Sequence, residues 1–271
     1  MAGAPDAEPI AAALPRLPAL ASPVFRRFLV GAFVGTLGAW MQATAQGWLV
    51  LELTNSPALL GLTSAVANAP TLVLSVFAGV LADRVDRRRL LVATQLAAAA
   101  LAAILAILTM TRLVEFWHVL LIAGLSGAVG ALAMPAFQAI VSTIVDRRAI
   151  GNAVALNSAQ FNLGRIIGPT AAGVAIVAGG LAVAFWANSL ALLLVALVLG
   201  TLRLPPAAAL VRAEASMWAN LVDGITYLRT DRLIRLLVLL AVAPALFVLN
   251  YLVLMPVYAR DVLDVGAPGL G

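Results

Sequence analysis

The 271 residues are 63% hydrophobic and 11% charged, with a formal net charge of +5 and a mean hydropathy of +1.05. A soluble domain carries roughly 25% charged residues, so a chain with less than half that cannot cover itself for water, and an ordinary soluble core is excluded. With no cysteine and one histidine, His118, disulfides, thiolate metal sites and histidine clusters are excluded too, and no metal or other cofactor is expected.

From the N-terminus, Met1–Pro23 holds Pro5, Pro9, Pro15, Pro18 and Pro23, with Asp6 and Glu8. A secretory signal needs a basic start and an unbroken apolar stretch of about 7–15 residues. Neither is present, and residues 1–23 read as a disordered cytoplasmic tail. A membrane-crossing helix needs about 20 mostly apolar residues. Seven such runs follow, near 24–50, 58–81, 90–111, 116–143, 153–177, 182–202 and 233–257. Asn55-Ser56-Pro57, the Asp83–Arg89 cluster, Asp146-Arg147-Arg148, Gly179-Gly180 and Arg203–Arg232 separate them. The fold class is all-α membrane protein: a six-helix bundle over 24–203, a linker over 204–232, and a seventh helix beginning a segment over 233–271.

Cytoplasmic loops are enriched in Lys and Arg. With the N-terminus inside, 14 of the 17 basic residues are cytoplasmic, only Arg112 and Arg260 lie outside, and Arg165 is within the fifth run; every one is Arg. The expected location is therefore the inner or plasma membrane, multi-pass, with a cytoplasmic N-terminus. The pI of 10.9 reflects these loops, so no nucleic-acid partner is expected; the partners are the lipid bilayer and a small molecule.

Between the second and third runs stands Gly79-Val80-Leu81-Ala82-Asp83-Arg84-Val85-Asp86-Arg87-Arg88-Arg89. In order and spacing it resembles the G-x-x-x-D-R-x-x-R-R signature that follows the second helix of major facilitator superfamily transporters. The family pattern usually has Gly at the position of Asp86; an acid there is familiar in the branch resembling enterobactin and multidrug exporters. The resemblance implies a conformational gate made of Gly79, Asp83, Arg84, Arg87 and Arg88, with Asp146 below the fourth run as a partner for Arg84 and Arg87. Asp83 would hold the N-terminus of a helix from the other half, where negative charge is favoured. Arg88 and Arg89 are expected to fix topology only.

In the fifth run, Gly164-Arg165-Ile166-Ile167-Gly168-Pro169-Thr170-Ala171-Ala172-Gly173 resembles the family's antiporter motif G-x-x-x-G-P-x-x-x-G, although an earlier Gly of the full pattern is Ala155 here. Pro169 removes a backbone donor, while Gly164, Gly168 and Gly173 permit close helix approach. Gly31, Gly35 and Gly38 share one face of the first run, and Gly124, Gly127 and Gly130 one face of the fourth. Packing alone accounts for any single one of these. Their occurrence in helices that correspond in the family's nested three-plus-three repeats suggests helices that slide during alternating access.

Polar side chains inside spans are costly and face a cavity or a partner helix. Gln42, Gln46 and Gln138 are the candidates for a central cavity, because the helices that hold them line it in the family; Asn162 joins them. Interhelical hydrogen bonds without a substrate role are the simpler account of each. Arg165 cannot lose its proton and should face the protein interior. It either attracts an anionic substrate or bonds neighbours such as Gln138 and Asn162. No carboxylate is central to a span; Glu52 marks the outer end of the first. After Pro205-Pro206, the spacing of Trp218, Leu221, Val222, Ile225 and Leu228 predicts an amphipathic helix on the cytoplasmic surface. Tyr258-Ala259-Arg260-Asp261-Val262-Leu263 resembles what ends the seventh helix in the exporter-like branch. Family members normally have twelve spans, so the expectation is a fragment or truncated product whose transport needs the missing C-terminal half or a second copy. The expected function is not enzymatic. It is secondary active export of small organic molecules, siderophore-like or drug-like, with uptake by the same fold or a non-transporting scaffold as alternatives.

Overall fold

The computed structural model describes residues 17–202, 226, 227, 229–247, 251–263, 265 and 266. Six long helices come first: α1 (Pro23–Thr54), α2 (Pro57–Arg84), α3 (Arg87–Met110), α4 (Phe116–Thr143), α5 (Ile150–Gly179) and α6 (Leu181–Thr201). Each is long and apolar enough to cross a membrane. The first six predicted runs fall on them, and several helices extend a few residues further, α1 to its cap at Asn55 and α3 from its cap at Asp86.

Helix ends leave backbone groups without intrahelical partners, and local residues supply the caps. Ser22 accepts the Phe25 N–H and Pro23 opens α1 with its φ already set. Asn55 closes α1 in the left-handed conformation, φ 49°. Glu115 and His118 form a reciprocal box at the start of α4. Gly180, at φ 83°, turns the chain from α5 into α6.

The packing partners are α3 with α6, α2 with α4, α1 with α5, α1 with α6, and α3 with α4. Exchange each of α1, α2 and α3 for α4, α5 and α6, and this set maps onto itself. The bundle therefore contains two three-helix repeats, as the family resemblance implies. Its buried apolar residues form two cores. One joins Phe25, Phe28, Leu91, Ile140 and Leu199 near the α4–α5 turn. The other joins Trp48, Leu51, Leu105, Val119 and Phe185 at the opposite end. Much of the outer surface is apolar, with Leu72 at 82% and Ile166 at 69% exposure.

Residues 17–22 lie in the segment that the sequence assigns to the tail. Pro18–Ala21 form a 3-10 turn whose Ala19 N–H donates to Asn152 Oδ1 at 3.1 Å, and Ser22 Oγ donates to the Ile144 carbonyl at 3.3 Å. The predicted seventh span falls on two helices, α7 (Arg232–Phe247) and α8 (Tyr251–Asp261). Asp231 caps α7 by accepting the Leu233 and Ile234 N–H groups. The linker residues Trp218, Leu221, Val222, Ile225 and Leu228 lie outside the described residues.

Candidate functional site

The signature loop is shorter than its sequence span. Gly79, Asp83 and Arg84 belong to the last turns of α2, and their side chains lie outside the described residues. Asp86, the departure from the family pattern, is the N-cap of α3: its carboxylate accepts the Arg89 N–H at 2.8 Å. Arg87 opens α3, partly buried. Arg88 Nη2 donates to the Gly200 carbonyl in the last turn of α6. A cation there meets the negative end of the helix dipole and ties the start of α3 to the end of α6. Asp146 is exposed, precedes the short turn Arg147–Ala149, and makes no ion pair with a described residue.

The antiporter-like motif is a backbone contact. A Cβ on Gly164 would stand 2.7 Å from Thr36 Cγ2, and one on Gly168 would overlap Trp40 Cβ. Gly164, Gly168 and Gly173 are buried, and Pro169 lies within α5 between them. Thr36, Leu37, Trp40 and Met41 of α1 thus seat directly on the α5 backbone. Trp40 also meets Phe161 edge-on, with ring centroids 6.3 Å apart.

The two glycine faces do not match as the repeat argument expects. Gly31, Gly35 and Gly38 face α6, where Val198, Val195, Ala191 and Asn188 fill the space a Cβ would need. Gly124 and Gly127 face α2 at Val66 and Ala67, while Gly130 meets nothing. The repeat-related counterpart of α4 on α2 is α1 on α5, and there the glycines belong to α5.

Of the cavity candidates, Gln42 turns to a neighbour. Its Oε1 accepts Asn188 Nδ2 of α6 at 2.6 Å, an interhelical bond. Asn188 is buried, its Oδ1 has no hydrogen-bond partner, and it lies against Gly38. Gln46 is partly exposed on α1 and Gln138 exposed on α4. Asn162 is exposed and satisfied within α5, donating to the Ser158 carbonyl at 2.9 Å. Arg165, at mid-length of α5, is exposed on the bundle surface and bonds neither Gln138 nor Asn162, the neighbours named in one of its two readings. Gln42 and Gln46 are both partly exposed and Gln138, Asn162 and Arg165 exposed; Gln42 differs in its bond to another helix. The groups that sequence reasoning missed are long-range partners: Gly200 for Arg88, Asn188 for Gln42, Asn152 for Ala19. At the other end, Trp48 Nε1 donates to Glu52 Oε1 at 2.7 Å.

The family model described as transmembrane secretion effector, of the major facilitator type, matches residues 15–271. The chain belongs to this family. Among curated proteins, it is 33% identical over 148 residues to the staphyloferrin A transporter of Staphylococcus aureus, covering 54% of this chain and 37% of that protein. It is 28% identical over 242 residues to the multidrug efflux pump Tap of Mycolicibacterium fortuitum, covering 86% of this chain and 59% of the pump. An uncharacterized major facilitator-type transporter of Bacillus subtilis, YfiS, is 26% identical over 184 residues, covering 65% of this chain and 43% of that protein. The chain thus spans between 37% and 59% of the length of these relatives. It is a multi-pass membrane protein of a transporter family, not of an enzyme family.

Proposed function

We propose that the chain is the N-terminal portion of a secondary transporter that exports small organic molecules, siderophore-like or drug-like, by alternating access. The observation that carries this reading is the repeat-symmetric helix pairing, α1 on α5 and α4 on α2, in a chain whose Gly79–Arg89 loop carries the family's gate residues. Asp83, Arg84, Arg87 and Asp146 make and break contacts at the Arg-rich end, which lies in the cytoplasm of an inner or plasma membrane. Gln46, Gln138, Asn162 and Arg165 supply polar contacts to cargo. An exposed guanidinium at mid-span is tolerable only where protein or water covers it, so Arg165 favours an anionic cargo and needs a second wall, from further helices or from a second copy of the chain. Motif glycines in α5, and relatives that include a named efflux pump, favour export over uptake.

Flux direction in inverted against right-side-out vesicles tests the reading, with the 271-residue chain compared with a twelve-span version. Export predicts substrate accumulation in inverted vesicles, abolished by Asp83→Asn and reduced at least tenfold by Arg165→Gln for anionic cargo. Accumulation only in right-side-out vesicles would establish uptake instead. No flux in either, by either form, would leave the scaffold reading.

A further inference from the structure

The Tyr258–Leu263 motif has no part in the transport reading above, yet it makes the longest-range side-chain bond of the described residues outside the bundle. The α8 helix lies against α1 and α2. Pro256 Cγ is 3.4 Å from where Gly47 would carry a Cβ, with Leu60 Cδ1 at 3.6 Å. Val253 and Val257 pack on the second core, and Ala259 is buried. Beyond them Arg260 Nη1 donates to the Leu51 carbonyl, in the last turn of α1, at 3.4 Å. Its Nε and Nη2 are held by Asp261 Oδ1 and Oδ2 at 2.6 and 3.2 Å. This two-point fork orients the guanidinium and leaves Nη1 for α1, whose C-terminal end carries partial negative charge. Glu52, the next residue, adds a carboxylate at the same end. The single bond to α1 is long and only partly shielded, so it can break without unfolding either helix.

We propose that Arg260, held in its fork by Asp261, is a releasable bolt that fastens α8 to the end of α1, and that withdrawing it parts the two helices at the end of the bundle away from the Asp86–Arg89 loop. The bolt rests on the alternating-access reading for its purpose, but its existence is measurable without any transported substrate.

The absence of cysteine makes the test direct. Gly47→Cys is introduced into the 271-residue chain in nanodiscs, and its reaction with a small maleimide is timed. The bolt predicts slow but finite labelling, accelerated severalfold by Arg260→Ala and by Asp261→Asn, with Arg260→Lys in between because it keeps charge without the fork. It also predicts that Gly47→Cys paired with Pro256→Cys crosslinks on oxidation, with lower yield when Arg260→Ala is added. Unchanged labelling in both Arg260→Ala and Asp261→Asn at native helix content overturns the bolt, and failure of the pair to crosslink overturns the docking. Complete protection of the introduced thiol in every variant overturns release. Should Arg260→Ala lose helix content, Asp261→Asn and Arg260→Lys carry the comparison by themselves.

Discussion

At the scale of single residues, the polar groups divide by whether their partners are near in sequence. Asn162, Asn68 and Thr44 bond carbonyls one turn back in their own helices, which helical spacing alone foretells. Gln42 and Asn188 are 146 positions apart, and no period in the chain links them. Gln42→Leu removes the donor's partner and leaves a buried Asn188 with neither amide atom satisfied. Interhelical bonds in lipid average about 0.6 kcal/mol and reach about 1.7, and the stranded Asn188 amide places this loss at the upper end. Unfolding in detergent should show it, and Gln42→Leu with Asn188→Leu together should recover part of it. The Arg260 guanidinium, by its hydrogen bond, holds the Asp261 carboxyl below the usual carboxylate range. A depressed folded-state pKa means that the contribution is complete above the unfolded value and is lost as pH falls through the folded one. The Arg260–Asp261 contact should therefore be indifferent to pH above about 5. Labelling of the thiol introduced by Gly47→Cys, corrected for thiolate content, should rise only in stronger acid.

Among the elements, caps set where α1 and α3 run past their apolar stretches. The apolar pattern starts the third span at residue 90, but Asp86 as N-cap begins α3 at Arg87. The cap also accounts for an acid where the family usually has Gly. Both residues serve at an N-cap, and replacing Asp by Gly there costs only a few tenths of a kcal/mol, against about 1 for Ala. Asp86→Gly should consequently leave the thermal midpoint almost unmoved while Asp86→Ala lowers it, measured side by side in detergent. Glycine spacing was legible as close packing, but the neighbour was not, because a stripe names a face and says nothing of what lies against it. The α1 stripe lies against α6 and the α4 stripe against α2, which spacing alone does not tell. Gly168→Val should separate α1 from α5 and cost about 1–3 kcal/mol as an overpacked site, whereas Gly130→Ala, whose Cβ meets nothing among the described residues, should cost nothing and gain up to about 1 kcal/mol of helix propensity in the same unfolding assay.

For the whole molecule, the six-helix count and the order of spans were written in hydropathy and breakers, since lipid demands uninterrupted apolar helices. Orientation rests on arginine placement, and the cysteine-free chain allows it to be measured. Cysteine at position 147 should resist a membrane-impermeant maleimide in right-side-out vesicles while cysteine at position 112 reacts; the reverse pattern would invert the topology. The pairing of helices was not legible, because it depends on contacts between segments made far apart. The clasp of the first described residues shows what this entails. Ala19 bonds a residue 133 positions later, and Ser22 one 122 positions later. At a synthesis rate of about 5–20 residues per second, α1 waits on the order of ten seconds in the bilayer before the α4–α5 turn that seats its N-terminus exists. Its glycine faces are bare throughout that interval. The order of synthesis thus sets the earliest moment at which α1 can take its native partners.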